Sequence, residues 1–472
     1  MSNSFVLELK NQICKKMKRT QVLDTLNKVS EKVCLLGRAQ TIRDHGKVLF
    51  IDLKDQTGLV QMVSREKLDL STEDVIEVEG TVKKRPENLV NKEIETGTVE
   101  IEIKSLKIIS HAQTPPIPTE GDGYDIDENL RLRYRYLDLR RERLQKNLKL
   151  RHKIVTLARD FLNKEGFLEI ETPYLSKDTP EGSRDFLVPS RLQPGHFYAL
   201  TQSPQQYKQM LMIANFEKYY QFARCFRDED LRADRQFEHT QIDIEMAYVK
   251  EKDVMDLVEN MMKYIAKNVG KKVQSDPFPI FTFKEAMKKF GADKFDLRDK
   301  KDKDTLAFAW VVDFPLLEWD KETKNFTFSH NPFCSPKEDA IDDLMVAKNL
   351  DKLVSKQYDI VLNGMEVGGG SIRISDPKIQ RQVFKVMGND KKQIEENFGQ
   401  FLSAFEYGAP PHGGIAIGFD RLCALLSGEE SIREVIAFPV SGSGQTSVMN
   451  APAQVPQKVL DELKIQLTKS KK

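Results

Sequence analysis

Between Tyr219 and Val249 the chain reads YYQFARCFRDEDLRADRQFEHTQIDIEMAYV. Two apolar-rich runs flank a charged segment, the pattern of a β-hairpin with a long loop. Side chains alternate along a strand, so Asp243 and Glu245 share one face, and Arg227 and Glu229 do likewise. A salt-bridge ladder accounts poorly for Arg227, Arg232 and Arg235 crowded among Asp228, Glu229, Asp230 and Asp234. Charge this dense between buried strands is unfavourable unless a charged ligand completes it.

Two further stretches point the same way. GIAIGFDRLCALLSG (Gly414 to Gly428) runs from a small, flat strand into a helix with Arg421 at its start. A cation there gains nothing from the helix dipole, so an anion that attracts both explains it better. In YDIVLNGMEVGGGSIRI (Tyr358 to Ile374), Asp359 and Glu366 offer hard oxygen ligands suited to a nucleotide's magnesium. The glycines at 368–370 admit a close approach, with Arg373 just beyond. A glycine bulge between strands would require neither acid.

A length of 472 residues calls for two or three domains. The first hundred or so read as short strands: VLFIDLKDQTG, LVQMVS, VIEVEGTVKK, then TVEIEIK with Val99, Ile101 and Ile103 on one face. Such spacing suits a small closed barrel, OB-like or SH3-like. A Pro-rich linker, Thr114 to Gly123, follows. Leu144, Leu148, Ile154, Val155, Leu157, Phe161 and Leu162 then recur at helical spacing up to Gly166, and FLEIETP returns to a strand ending at Pro173. The basic run from Arg131 to Lys153, with Tyr134 and Tyr136 interleaved, is suited to holding phosphates and stacking on bases. A solvated Arg-rich linker and helix start explains it equally well.

Hydrophobic residues at 40% and charged ones at 31% give a globular balance, and no apolar run is long enough to cross a bilayer. The N-terminal segment lacks the pattern of a secretory leader, so a cytoplasmic location is expected. Five scattered cysteines with no CxxC pair fit packed free thiols in a reducing compartment. The net charge of +1 leaves any polyanion site to local clustering.

FLEIETP, FRDEDLRADRQ and GFDR resemble the three motifs of class II aminoacyl-tRNA synthetases, and neither class I signature, HIGH nor KMSKS, is present. TPEGSRDFLVPSR, QSPQQYKQML, EVGGGSIR and VIAFP further resemble the bacterial-type aspartyl-tRNA synthetases, over almost the whole chain. The resemblance implies an α+β chain: an OB-fold anticodon-binding barrel over 1–112, a hinge over 113–145, and over 146–472 a catalytic domain built on an antiparallel sheet flanked by helices. It implies ATP as substrate, Mg2+, L-aspartate, tRNA(Asp), a homodimer formed largely through the first motif, and ligation through an aspartyl-adenylate. The basic run would then face tRNA or the partner subunit.

Residue by residue, the resemblance puts Arg227 on the α-phosphate and substrate carboxylate, and Arg421 at the γ-phosphate. Asp228, Glu229, Gln236, Gly418, Phe419 and Asp420 join them around ATP, with Glu366 also counted among the catalytic groups. Asp359 and Glu366 match the magnesium-binding acids. Glu181, Ser203, Gln205, Lys208, Asp243, His330 and Arg373 match the aspartate site, with Lys208 and Arg373 on the side-chain carboxylate. Phe50, Gln61 and His45 match anticodon-reading positions, and His45 raises tRNA(Asn) as a second substrate.

The chain also departs from that pattern. A large inserted domain usual between the second and third motifs is reduced to a short charged loop near 292–306, a loss expected to leave the chemistry untouched. Asn331 stands where a second histidine is usual, and TIRDH carries fewer basic residues than the customary string. Rival readings are an asparaginyl-tRNA synthetase, a non-catalytic tRNA-binding paralogue, and a generic OB-fold nucleic-acid binder, which leaves everything after Gly123 unexplained. Two cations beside the substrate argue against the first, and retention of Arg227, Glu366 and Arg421 against the second.

Overall fold

The computed structural model describes residues 14, 17–177, 182–299, 301–321 and 324–468. The chain divides into two compact units between Pro118 and Thr119, within the Pro-rich segment.

In the first unit, β1 (Lys32–Asp44), β2 (Leu49–Lys54), β3 (Leu59–Ser64), β4 (Val75–Lys84) and β5 (Val99–Ser110) close into a barrel in the order β1-β2-β3-β5-β4. Only the β3–β5 pairing is parallel. That five-stranded closure is the OB-fold, which settles the choice between barrel types. Period-2 alternation drives it: Ile51, Leu53, Val60, Met62, Val99 and Ile101 fill the interior while Glu102 and Lys104 face out. Cys14 and Cys34, expected as free thiols, are instead joined in a disulfide that ties the start of the described chain to β1. Their separation of 20 residues carries no motif, so only the folded barrel brings them together. Cys225, Cys334 and Cys423 are free and buried.

The second unit is built on eight strands: β6 (Leu168–Glu169), β7 (Lys218–Phe226), β8 (Glu238–Ala247), β9 (Ile280–Thr282), β10 (Phe308–Val312), β11 (Gln357–Leu362), β12 (Met365–Ile372) and β13 (His412–Gly418). Their order is β9-β10-β11-β12-β13-β8-β7-β6, with six antiparallel strands between two short parallel edges. FLEIETP supplies only the two residues of β6, because Pro173 and an exposed edge leave little to pair with. Three helices, α1 (Glu142–Lys164), α3 (Glu251–Asn268) and α5 (Phe419–Ser427), cover one face of the sheet. α2 (Gln205–Ile213) and α4 (Phe283–Phe290) are the other helices that matter to the site. Along β8, Ile242 and Ile244 point into that helical core, so Gln241, Asp243 and Glu245 must occupy the opposite face. Among the described residues no helix is long and apolar enough to cross a membrane.

The basic run divides into buried and exposed members. Arg131, Arg135 and Arg141 are buried, with Arg135 and Arg141 each 2.7 Å from Asp138. Arg131 and Arg143 both meet Glu434 at 2.8 Å, and Arg143 also reaches Glu429. Burial pushes the Glu434 carboxyl up, but the two guanidiniums more than reverse this and bring it down to about 2. These arginines are internal struts: Asp138 within the run holds Arg135 and Arg141, while Arg131 and Arg143 also reach acids some 300 residues away, as with Arg131 and Glu434, 303 positions apart. Arg133, Lys146, Lys149 and Lys153 are the exposed members.

Candidate active site

On the sheet face opposite the helices lies a cavity of about 310 Å³, walled by β8, β12 and β13, the loop of the β7–β8 hairpin and the first turns of α2 and α5. Its lining gathers Ser203, Gln205, Lys208, Arg227, Glu229 and Gln236. Asp243, His330, Glu366, Arg373, Gly418, Asp420 and Arg421 complete the expected residues that reach it. Strand β7 ends at Phe226, so Arg227 and Glu229 stand in the hairpin loop rather than on one strand face. The loop still carries both to the cavity.

The floor is a buried network of two cations and two acids. Lys208, from α2, contacts Asp243 and lies 3.2 Å from Glu245. Arg373 donates from Nε to Glu245 Oε1 at 3.0 Å and from Nη1 to Ser371 Oγ at 2.8 Å. Burial raises the Asp243 carboxyl above its usual range. It pushes Glu245 up too, but Arg373 and Lys208 outweigh it and keep that carboxyl low. The expected pair of cations is therefore present, and each is already in contact with an acid. Three buried atoms on the lining, Arg227 Nε, Gln205 Nε2 and Asp243 Oδ2, have no hydrogen-bond partner among the described residues. Orphaned buried polar atoms at one site call for a ligand or water to complete them.

At the other end Arg421 pairs with Asp234 at 3.0 Å and donates to the Glu366 carbonyl at 3.2 Å. The Glu366 carboxylate meets Lys294 at 2.8 Å. Asp359, one strand away, is buried behind the cavity wall and accepts from Gln357 Nε2 at 3.1 Å. Burial and the nearby Glu366 hold its carboxyl well above the usual range. His330, half-buried on the cavity lining, is pulled down to about 4 by desolvation and is neutral at pH 7. A Cβ at Gly369 would sit 2.7 Å from its Cε1, so this glycine makes room for a protein ring. Asn331 also lines the cavity, and its Oδ1 accepts from Phe333 N at 3.0 Å.

Some expected residues lie elsewhere. Phe419 is a core residue, its ring 5.5 Å from Phe222 and under the Arg151 guanidinium. Asp420 reaches the lining but is engaged by Arg151 and by Thr240 N, tying α5 to β8. Asp228 stands outside, bonded through its backbone to Arg184. Glu181 falls outside the described residues. In the barrel, Phe50 and Gln61 share the outward face, Gln61 opposite Asp52, and His45 packs edge-on to Phe50 at 5.6 Å. Arg43 grips Asp52 bidentately there, at 2.8 and 3.0 Å.

Sequence reading missed Lys294, His239 and Gln241 and left Glu245 out of the site. For β8 the signal was available, since His239, Gln241, Asp243 and Glu245 follow period 2. Burial and then Arg227 and Arg421 hold the His239 imidazole far below its ordinary value, hence uncharged.

Residues 127–442 match the class II tRNA synthetases (D, K and N), and residues 33–109 match the OB-fold nucleic acid binding domain family that carries the anticodon-binding name. The chain is a class II tRNA synthetase. This synthetase is 40% identical to the aspartate–tRNA(Asp/Asn) ligase of Caldanaerobacter subterraneus, covering 96% of its own length and 98% of the relative's. It is 38% identical to the aspartate–tRNA ligase of Staphylococcus carnosus, covering 94% and 98%. The first alignment runs over 587 positions against the synthetase's 472 residues, so part of the relative has no counterpart here. In fold it is similar to the aspartyl-tRNA synthetase of Entamoeba histolytica (TM-score 0.71, 22% identity, 91% and 93% covered). It is equally similar to the asparaginyl-tRNA synthetase of Pyrococcus horikoshii (0.71, 22%, 90% and 98%). The family uses ATP as substrate.

Proposed function

We propose that this synthetase ligates L-aspartate to tRNA(Asp) through an aspartyl-adenylate. The observation that carries the reading is the floor of the cavity: orphaned Arg227 Nε and Asp243 Oδ2 beside the buried Lys208 and Arg373. A ligand completing these atoms needs an ammonium for Asp243 and carboxylates for the cations. An amino acid with an acidic side chain has both, whereas the neutral amide of asparagine has no use for two cations.

In this reading the α-carboxylate attacks the α-phosphorus in line. A carboxylate oxygen–phosphorus bond forms, the bond to the β-phosphate oxygen breaks, and pyrophosphate leaves. The substrate is its own nucleophile, so the protein's work is positioning and charge neutralisation. Lys208 and Arg373 hold the side-chain carboxylate, with Ser203, Gln205 and His330 around the amino acid. Arg227 bridges the α-carboxylate and α-phosphate, Arg421 takes the γ-phosphate, and Glu229 and Gln236 orient the nucleotide. A terminal tRNA hydroxyl then attacks the aspartyl carbonyl and releases AMP.

Asp359 and Glu366 fit a magnesium ion that arrives with the nucleotide, being hard-oxygen donors close enough for one to disfavour ionisation of the other. Bound there, the ion would neutralise charge on phosphate oxygens. Phe50, Gln61 and His45 present one outward barrel face for stacking an anticodon base. The name of the Caldanaerobacter relative and His45 support tRNA(Asn) as a second acceptor. The exposed Leu168, Tyr174 and Leu175 at the β6 edge support a homodimer. A cytoplasmic location completes the proposal.

The test is amino-acid-dependent ATP–pyrophosphate exchange with aspartate, asparagine and lysine. Exchange with aspartate alone is expected. Exchange with asparagine alone, or with none, ends the proposal. Aspartylation of tRNA(Asn) transcripts under conditions that charge tRNA(Asp) decides the second acceptor.

A further inference from the structure

The loss of the inserted domain is expected to leave the chemistry untouched, and the short loop that remains between α4 and residue 305 places a lysine in the cavity. Gly291, left-handed at φ 73°, ends α4 and turns the chain. Phe295 then anchors it, buried and stacked on Phe290 with centroids 4.0 Å apart. Arg298 clasps Asp296, and Gln274 binds the Leu297 carbonyl at 2.7 Å and the Asp299 amide at 3.1 Å. The backbone on the far side of Lys294 is thus fixed, while its long side chain is 43% exposed.

In this structure that ammonium lies on the Glu366 carboxylate, while Arg421 holds the carbonyl of the same residue. Two cations from different elements therefore converge on one residue of β12. Arg421 is clamped by Asp234 as well, whereas Lys294 is held at the cavity by Glu366. A cation on a long stem, with an anchored base and one exchangeable partner, suits an anion present in only part of the reaction cycle.

We infer that Lys294 is the mobile cation for the β- and γ-phosphates of the nucleotide and for the pyrophosphate they become. When the polyphosphate enters, the ammonium leaves Glu366 for its anionic oxygens and frees that carboxylate for the nucleotide's metal. This rests on the reading of the cavity as an ATP site.

The experiment compares full-length wild type, Lys294→Ala, Lys294→Met and Lys294→Arg, with folding checked by thermal melting. Calorimetry without amino acid measures binding of ATP and AMP at saturating magnesium. Expected is a loss of about tenfold or more in ATP affinity for the Ala and Met variants, with AMP affinity unchanged and Arg restoring most of it. The half-saturating magnesium concentration for ATP binding should fall in the Ala variant, because the cation competing for Glu366 is gone. In exchange assays the KM for pyrophosphate should rise by a similar factor. Unchanged ATP affinity, or equal losses for ATP and AMP, overturns the inference. Wild type that binds ATP but shows no aspartate-dependent exchange sinks the proposed function instead and leaves the role of Lys294 to the binding data.

Discussion

Glu245 bridges two buried cations: its Oε1 accepts from Arg373 Nε at 3.0 Å, and its Oε2 lies 3.2 Å from Lys208 Nζ. Without it, Asp243 would be the acid left beside two buried cations. Removing one partner of a buried ion pair typically costs about 3–5 kcal/mol. Glu245→Ala should therefore lower the unfolding free energy from urea titration by about that much, seen as a lower urea midpoint. A midpoint within error of wild type would mean that substrate-side water already solvates the cations.

Arg373 is the residue on which the choice of amino acid turns. In Arg373→Gln the side-chain carboxylate would face Lys208 alone, with Glu245 left half-paired. A site that loses the partner of a buried charged group discriminates far less well, and kcat/KM for aspartate in exchange should fall about a thousandfold or more. The residual activity with asparagine should stay near its own background. If both amino acids lose activity in the same proportion, Arg373 supports the sheet and does not read the side chain.

How much of this was legible depends on the distance over which each feature is encoded. The β7–β8 hairpin is local, so its period-2 pattern shows in sequence and carries Asp243 to the right face. Arg421 at the start of α5 is local as well. The basic run misled because Arg131 and Arg143 find Glu434 only after the chain has folded back, and sequence shows cations without their acids. Phe419 shared a motif with Arg421, yet strand-to-helix geometry sends the two side chains to opposite sides, one into the core and one into the cavity. Lys294 was hidden for a further reason: a charged loop looks solvated until Phe295 is seen to pin it.

The glycine run of β12 separates fold from function. An added Cβ at Gly369 would sit 2.7 Å from Cε1 of His330, on the cavity lining, and 2.9 Å from Oδ1 of Asp359, just behind it. At Gly370 it would meet the Gly414 carbonyl at 2.3 Å and the Tyr358 ring at 2.7 Å, inside the sheet. Gly369→Ala should keep a near-normal melting temperature while exchange drops about tenfold or more. Gly370→Ala should fold poorly, because backbone cannot move aside as a side chain can. Equal melting temperatures for the two variants would contradict this division.

Glu434 should make stability depend on pH in a predictable direction. Its carboxyl titrates at about 2 in the folded chain, against an ordinary value of 4.5. The folded state therefore favours the ionised form, and its contribution is fully present above about pH 4.5 and lost as pH falls through about 2. With the group largely buried, a shift of that size corresponds to about 3 kcal/mol. Glu434→Gln should be destabilised by roughly that amount at pH 7, and by progressively less in urea titrations at pH 4.5, 4 and 3.5. Because Arg131 and Arg143 are both held by this one carboxylate, the same variant should loosen α1 against the segment around residue 434, speeding amide exchange there before global unfolding. A stability gap that stays constant down to pH 3.5 would assign the effect to shape and hydrogen bonding, not to the charge of Glu434.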